Sequence, residues 1–404
     1  MSYAGDRLIH DADSHLMELP DCLDPYLDAA TRRRFHESDE LRRSLSIMLM
    51  ADDANWTQNM RSRHADSAFR AGNAEMLMLR KNYDGLGAFI PQDRVEAISL
   101  LGFGSQLVFS TFCLGSFGFE DSGNVEMSYA VARAHNRMIT DFCRADRRLL
   151  ATGYVPALDF AQALETAREA LDLGCTSLRV ASRPTLGRSP SHIGLDPVWA
   201  LAQEANVPIL FHVDGYDAKC LNPGFHETGL PRVADFHGGD QNVNSVGFLA
   251  LPTQVMSTLT ALIFDGVMDR FPRLKFGVIE FGAAWMPGLM RGMDAALAAF
   301  VKNEERLQKL SATPSEIVRR QVRVTPFPQE DAGWLIANGG EEVFMFASDF
   351  PHVEGGRNPL KRFDDSLKNT PSQARERFFS GNFIDLMGAG LAPDLRTSRQ
   401  HAAA

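Results

Sequence analysis

Eight short apolar runs, separated by longer amphipathic stretches, constrain this chain of 404 residues more than any other feature. The runs fall at 8–12, 106–110, 150–156, 176–181, 207–213, 275–281, 322–326 and 343–347, the seventh being the weakest. Several, such as VPILFHV and KFGVIEF, are apolar almost throughout. Runs of that length and character suit strands covered on both faces, as in a parallel sheet. Pro208 stands at the start of the fifth run, where a missing N–H is tolerated. Between the runs the period turns helical. Ala163, Leu164, Ala167, Ala170 and Leu171 recur at helical spacing over 159–174, and Gly174 is a natural stop. Further helices are expected at 199–205, 255–268, 283–301 and 372–387, the last closed by Gly388.

Strands alternating with helices predict an α/β fold, and eight strands are the count of a (β/α)8 TIM barrel. A composition of 45% hydrophobic and 23% charged residues is globular, and the length exceeds the roughly 250 residues a barrel needs. We expect one domain over 1–392 and a disordered tail over 393–404. The surplus length lies in two connections too long for bare loops, 19–105 after the first strand and 214–251 after the fifth. Both follow the carboxyl ends of strands, the face on which barrel active sites form. They are read as insertions that shape a substrate pocket.

Charge and cysteine usage exclude other classes. A net charge of −10 without a basic block argues against phosphate backbones and anionic membranes. The arginines at 32–34 and 61–63 read as solvated faces. Cys22, Cys113, Cys143, Cys175 and Cys220 contain no C-x-x-C pair, which argues against a disulfide framework or a thiolate zinc site. The first residues lack the apolar core of a signal peptide. The apolar stretch 246–268 is interrupted by Pro252, Gln254 and Asp265. The expectation is a cytoplasmic protein with a small-molecule substrate and no nucleic-acid or membrane partner.

The strand ends carry the candidate chemistry. The first run leads into Asp11-Ala12-Asp13-Ser14-His15. Residues two apart on a strand point the same way, so Asp13 and His15 project together, with Asp11 one step deeper. Taken alone, that segment fits an acidic strand end with satisfied hydrogen bonds equally well. Three further runs shift the balance. The fifth ends at His212, the sixth at Glu280, and the eighth at Asp349 with His352. Burying such groups at one mouth without a cation would be costly.

With these residues the chain resembles the amidohydrolase-related branch of the amidohydrolase superfamily, which includes aminocarboxymuconate-semialdehyde decarboxylase and the resorcylate decarboxylases. The resemblance runs from about residue 8 to residue 388. It is carried by Asp11-Ala12-Asp13-Ser14-His15 with Glu18, by Ala134-His135-Asn136 with Asp141-Phe142-Cys143, and by Phe271-Pro272-Arg273-Leu274-Lys275. Ser348-Asp349-Phe350-Pro351-His352 with Glu354, and Gly381-Asn382-Phe383, complete it. The resemblance implies a TIM barrel, a mononuclear centre ligated by Asp13, His15, His212 and Asp349, and often a homodimer. It places Asp349 as the general base beside a metal-activated water. Two positions depart from the family pattern: Asp13 replaces the first histidine of a His-x-His pair, and Glu280 replaces a histidine after the sixth strand. The resemblance makes zinc the first expectation, and the added carboxylates, which suit a harder ion, make manganese the alternative. The fourth strand carries Arg179 where a second metal would need a lysine, so one cation is expected.

Candidate catalytic residues are therefore Asp349, Glu280 and His352, the last orienting Asp349 or contacting substrate. Candidate substrate contacts are Arg179, as a carboxylate fork or a structural ion pair, Trp285, as pocket lining or core, and His226 and His237 on the insertion after strand five. The leading expectation is a metal-dependent hydrolase of a small organic substrate. A non-oxidative decarboxylase is the alternative, and an inactive ligand-binding barrel is a third reading. Glu280, standing where the decarboxylases have histidine, tilts the sequence toward hydrolysis.

Overall fold

The computed structural model describes residues 2–40, 55–112, 118–214, 217, 221–231 and 244–397. Among the described residues, seven parallel strands pair in chain order: β1 (His10–Leu16), β2 (Ser105–Ser110), β3 (Leu149–Tyr154), β4 (Ser177–Arg179), β5 (Ile209–His212), β6 (Phe276–Ile279) and β7 (Val322–Val324). Every residue of these strands is buried, which explains why most read as short apolar runs.

The eighth run does not form a ladder, yet it bonds to both edges of the sheet. Val324 N donates to Val343 O at 2.8 Å and Met345 N to Val324 O at 3.0 Å. On the other side Ala12 N donates to Phe346 O (3.1 Å), Asp349 N to Asp13 O (2.9 Å) and His15 N to Phe350 O (2.7 Å). The sheet thus curls until its two edges share one segment, consistent with an α/β barrel. Regular pairing is lost because other partners take its backbone groups. Asn382 Nδ2 donates to Phe344 O, and Phe346 N donates to Phe378 O. The Gly381-Asn382-Phe383 motif is in this way a strut for the closing segment.

β1 also departs from expectation. The run predicted at 8–12 extends to Leu16, so the polar HDADSH segment is itself strand, with a register shift between Asp11 and Ser14. Polar residues inside a buried strand are what the apolar signal cannot report.

The helix predicted at 159–174 is Phe160–Leu173; Asp159 caps its start by accepting from Gln162 N, and Gly174 ends it at φ 104°. The helix expected at 199–205 begins earlier, at Asp196, and that at 283–301 spans Met286–Phe300. The stretch at 255–268 splits into Thr253–Phe264 and Val267–Arg270 around Gly266, whose φ of 74° breaks the helix. The one at 372–387 passes through a π turn, Arg377–Gly381. Pro393–Leu395, expected within a loose tail, instead forms a 3-10 turn with Leu395 buried. Ser245–Phe264 has the length and mean hydropathy (1.6) of a membrane span, but Val255, Leu259, Leu262 and Ile263 are buried in this fold.

Two apolar layers position the site. Ala12, Leu107, Phe109, Leu150, Leu210, Ile279 and Met345 fill the inside of the curled sheet, where Phe383, Leu386 and Met387 join them. A larger layer lies between the sheet and the surrounding helices. The carboxyl ends of the strands are left for polar groups. The β1–β2 connection contributes the helices Ala29–His36, Trp56–Ala65 and Pro91–Leu101. The β5–β6 connection contributes Pro223–His226 and Ser245–Ala250 ahead of Thr253–Phe264.

Candidate metal centre

Asp13 and His15 project from β1, His212 ends β5, Glu280 follows β6 by one residue, and Asp349 lies at the end of the closing segment. The five side chains converge. His15 Nε2 is 3.2 Å from Asp13 Oδ1, 3.6 Å from Asp349 Oδ1 and 3.8 Å from Glu280 Oε2. His212 Nε2 is 3.4 Å from Asp13 Oδ1 and 3.2 Å from Glu280 Oε2. All five residues are buried. Metal–ligand bonds of about 2.1 Å place neighbouring donors about 3.0 Å apart in an octahedron and about 3.4 Å in a tetrahedron. The observed separations suit donors arranged around one ion. Asp13 Oδ1, His15 Nε2 and His212 Nε2 make no hydrogen bond of normal geometry among the described residues. Buried polar atoms left in that state are costly, and one divalent cation would satisfy all three. The donor set fits the ion the sequence called for.

The electrostatics agree. Burial would raise the Asp13 carboxyl, but the imidazoles of His15 and His212 hold it below the usual range. Burial, with His352 beside it, pushes His15 down to about 3, which leaves a neutral imidazole near neutral pH, the form that ligates. One step deeper, burial raises Asp11 to about 7 against hydrogen bonds from Ser348 and Gln106.

The donors are held by different devices. His212 Nδ1 lies 2.8 Å from Val213 O; donating there leaves Nε2 bare. Glu280 has a φ of 64° and Asp349 one of 53°, the left-handed region that disfavours side chains. Both turns are over-determined, as such strain requires. Glu280 N donates to Thr325 Oγ1 at 3.0 Å, and the Glu330 carboxylate accepts from Ala283 N, Ala284 N and Phe327 N just beyond. At the other turn Asp11 accepts from Ser348 N (2.7 Å) and Ser348 Oγ (2.6 Å). A Cβ on Gly355 would stand 2.0 Å from Ser348 O, so only glycine fits there. The buried Arg94 guanidinium sits 5.0 Å from the Phe350 ring centroid.

The other candidates fall in different places. His352 joins the centre, with Nδ1 3.0 Å from Asp349 Oδ1 and its ring stacked on His15 at 3.7 Å. Arg179 is buried behind His212: its Nη2 donates to His212 O (3.1 Å) and meets Asp214 Oδ2 (3.4 Å), which Arg183 also holds at 2.6 Å. Trp285 is half-buried and ties its indole N–H to Gly282 O at 2.9 Å, bracing the Glu280 turn. No contact among the described residues joins His226 to the cluster, and His237 lies outside the described residues.

Two residues near the centre escaped the sequence reading. Thr111, directly after β2, sets its hydroxyl between His15 and His352. Lys81, on the β1–β2 connection, has a solvent-shielded Nζ with no hydrogen-bond partner among the described residues. Burial lowers its pKa, while Asp349 and Glu354 pull it back up. Nearby, Met17, Leu19, Tyr83 and Ala88 form an apolar cluster with Trp56, Phe89 and Phe112.

An amidohydrolase family model matches residues 25–386. The chain belongs to the amidohydrolase family. It is an enzyme of the hydrolase or carboxy-lyase kind. Among solved structures, this amidohydrolase is similar to one from Mycobacterium avium subsp. paratuberculosis K-10, at 21% identity, with a TM-score of 0.68 over 95% of this chain and 100% of that one. The 5-carboxyvanillate decarboxylase of Novosphingobium aromaticivorans DSM 12444, complexed with manganese and 4-hydroxy-3-methoxy-5-nitrobenzoic acid, matches at 18% identity and a TM-score of 0.64, over 96% and 97% of the two chains. The 5-carboxyvanillate decarboxylase of Sphingomonas paucimobilis matches at 15% and 0.61, over 94% and 98%. Sequence comparison with curated proteins gives no match.

Proposed function

We propose that this amidohydrolase is a divalent-metal-dependent carboxy-lyase acting on a small carboxylated, hydroxylated aromatic substrate. Lys81 carries the reading: a shielded ammonium beside Asp349 and Glu354 is a ready partner for a substrate carboxylate. The aromatic cluster beside Thr111 adds a neighbourhood suited to a ring. The manganese-bound decarboxylase of similar fold lends support. Asp13, Glu280 and Asp349 together make the donor set carboxylate-rich, which favours manganese over zinc. The two long connections are read as the insertions that shape the pocket.

In this reading Asp13, His15, His212 and Asp349 hold the cation, with Glu280 at its edge. When bound, the cation polarises substrate oxygens and lowers the pKa of a coordinated water. Asp349, oriented by His352, is the proton-carrying group. In decarboxylation Asp349 would take a proton from the substrate hydroxyl on binding and return it to the ring carbon as the bond from that carbon to the carboxylate breaks, the electron pair staying on the ring carbon and carbon dioxide leaving. Lys81 orients the acid, and the burial of the side chains around the centre limits competition from bulk water for the proton.

Hydrolysis is the second reading, and Glu280 favours it. A second carboxylate facing His212 at 3.2 Å can share with Asp349 the acceptance of a proton from an attacking water. The experiment that separates the two is incubation of manganese-reconstituted protein with hydroxybenzoates and, in parallel, with aryl esters and lactones. Release of carbon dioxide, reduced by Lys81→Met, is expected. Ester or lactone cleavage without carbon dioxide would install the second reading.

A further inference from the structure

Thr111 touches the outer nitrogens of two rings at the centre. Its Oγ1 is 2.9 Å from His352 Nε2 and 3.3 Å from His15 Nδ1, with the weakly accepting Met17 Sδ at 3.5 Å. The residue is buried, and its backbone is pinned. Glu18 Oε2 accepts from Thr111 N (3.0 Å) and Phe112 N (2.9 Å). That gives Glu18 a role the motif alone did not reveal.

A hydroxyl has one proton to give, and a neutral imidazole has one donor and one acceptor nitrogen. These two counts let the chain run in only two directions. His352 Nδ1 faces the Asp349 carboxylate at 3.0 Å. Beside an ionised carboxylate the N–H form of His352 Nδ1 is favoured by charge, although the pair is not aligned as a hydrogen bond, and Nε2 is then bare. Nε2 must then take the Thr111 proton. With that proton committed, the Thr111 oxygen can only accept from His15, whose proton therefore sits on Nδ1. His15 Nε2 is left as a lone pair, aimed at Asp13, Asp349 and Glu280. A cation at His15 Nε2 selects this direction, because the reverse would put a proton on the ligating nitrogen and leave His352 Nδ1 bare 3.0 Å from the Asp349 carboxylate.

We propose that Thr111 is a positioning residue whose single hydroxyl proton fixes the tautomers of both His15 and His352, presenting His15 Nε2 to the cation and His352 Nδ1–H to Asp349. The proposal rests on the metal-centre reading, and its first test is made on zinc-loaded protein, because without a cation the bare His15 Nε2 would face the Asp13 carboxylate. Nitrogen-15 histidine NMR of the zinc-loaded wild-type protein, with two-bond correlations to the ring protons, reads each tautomer directly. Both His15 and His352 are expected as the Nδ1–H form. A wild-type His15 in the Nε2–H form overturns the proposal outright.

The second arm measures metal affinity by competition with a chelator, on wild type, Thr111→Ser and Thr111→Val. Loss of an outer partner of a ligating histidine typically costs about 10- to 100-fold in affinity. Thr111→Val is expected to lose that much and to show mixed tautomers, while Thr111→Ser stays within about threefold of wild type. Equal losses in both variants would assign the effect to packing and overturn the proposal, as would wild-type affinity in Thr111→Val. A wild-type protein that takes up no metal sinks the metal-centre reading and this proposal with it, whereas zinc-loaded protein with the other tautomers sinks this proposal alone.

Discussion

The donors of the centre come in two kinds. Asp13, His15 and His212 lie within strands at ordinary backbone angles; His15 and His212 are in register with β2 and β6, and Asp13 sits at the register shift of β1. Glu280 and Asp349 stand just past regular pairing, on turns with φ of 64° and 53°. Strand donors inherit their placement from the sheet, whereas turn donors need dedicated braces: Thr325 and Glu330 for one, Asp11 and Gly355 for the other. The difference suggests a division of labour, with the strand group mainly holding the ion and the turn group mainly handling protons.

The largest expected effect tests that division at Asp349. Asp349→Asn keeps a ligating oxygen but loses the proton carrier, so turnover should fall by about 10²- to 10⁴-fold while the protein still binds metal. Metal content and steady-state rates on the same preparation check this. Loss of metal in step with activity would erase the distinction between the two groups.

The buried layer under β1 gives a pH prediction. Burial lowers His10 to about 4 from its ordinary 6.5. The unfolded chain therefore takes up this proton first as pH falls. The stability from keeping His10 neutral is fully present above pH 6.5 and is lost as pH falls toward 4. At about 1.4 kcal/mol per pKa unit the loss is about 3 kcal/mol. His10→Phe, which can retain the stack on Phe383, should flatten the acid limb of a denaturation series by up to one proton. An unchanged slope would show that His10 does not titrate on unfolding.

Glu280→Gln sharpens the comparison within the turn group. It should depress turnover by about tenfold to 100-fold with metal retained. Unchanged turnover would remove Glu280 from the chemistry and leave Asp349 as the sole proton carrier.

The smallest effect compares backbones directly. At position 349 glycine should be more stable than alanine by about 1 kcal/mol, because the left-handed conformation penalises a Cβ. At position 212 the order should reverse by about 0.5–1 kcal/mol, because glycine costs entropy in a strand. Chemical denaturation of the four metal-free variants would show it. The same order at both positions would mean that the turn carries no strain.

The same contrast explains what was legible in the sequence. Apolar runs ending in His212, Glu280 and Asp349 pointed to one face of the sheet, because buried parallel strands announce themselves and their ends are easy to find. β1 was placed four residues short at its far end, since His10, Asp11, Asp13 and His15 are polar strand residues that hydrophobic period cannot recognise. The closing segment looked like a strand because Val343, Phe344, Met345 and Phe346 are fully buried; its ladder is diverted by Asn382 and the Phe378 carbonyl, which lie far away in sequence. Positive φ at Glu280 and Asp349 left no mark, because neither residue is glycine. Lys81 depends on the path of a long connection and had no local signal. Thr111 had one, since it follows β2 at the same end as the other candidates, but a lone hydroxyl at a strand end is common and marks no chemistry by itself.

The central claim is that Asp13, His15, His212 and Asp349 surround a single divalent ion. Elemental analysis of wild type and His212→Ala, purified side by side and reconstituted with manganese or zinc, tests it most directly. The account predicts about one equivalent in wild type and little in the variant, in line with a one-ion donor set. A wild-type protein that takes up neither metal, or a His212→Ala variant that binds as much as wild type, would contradict it.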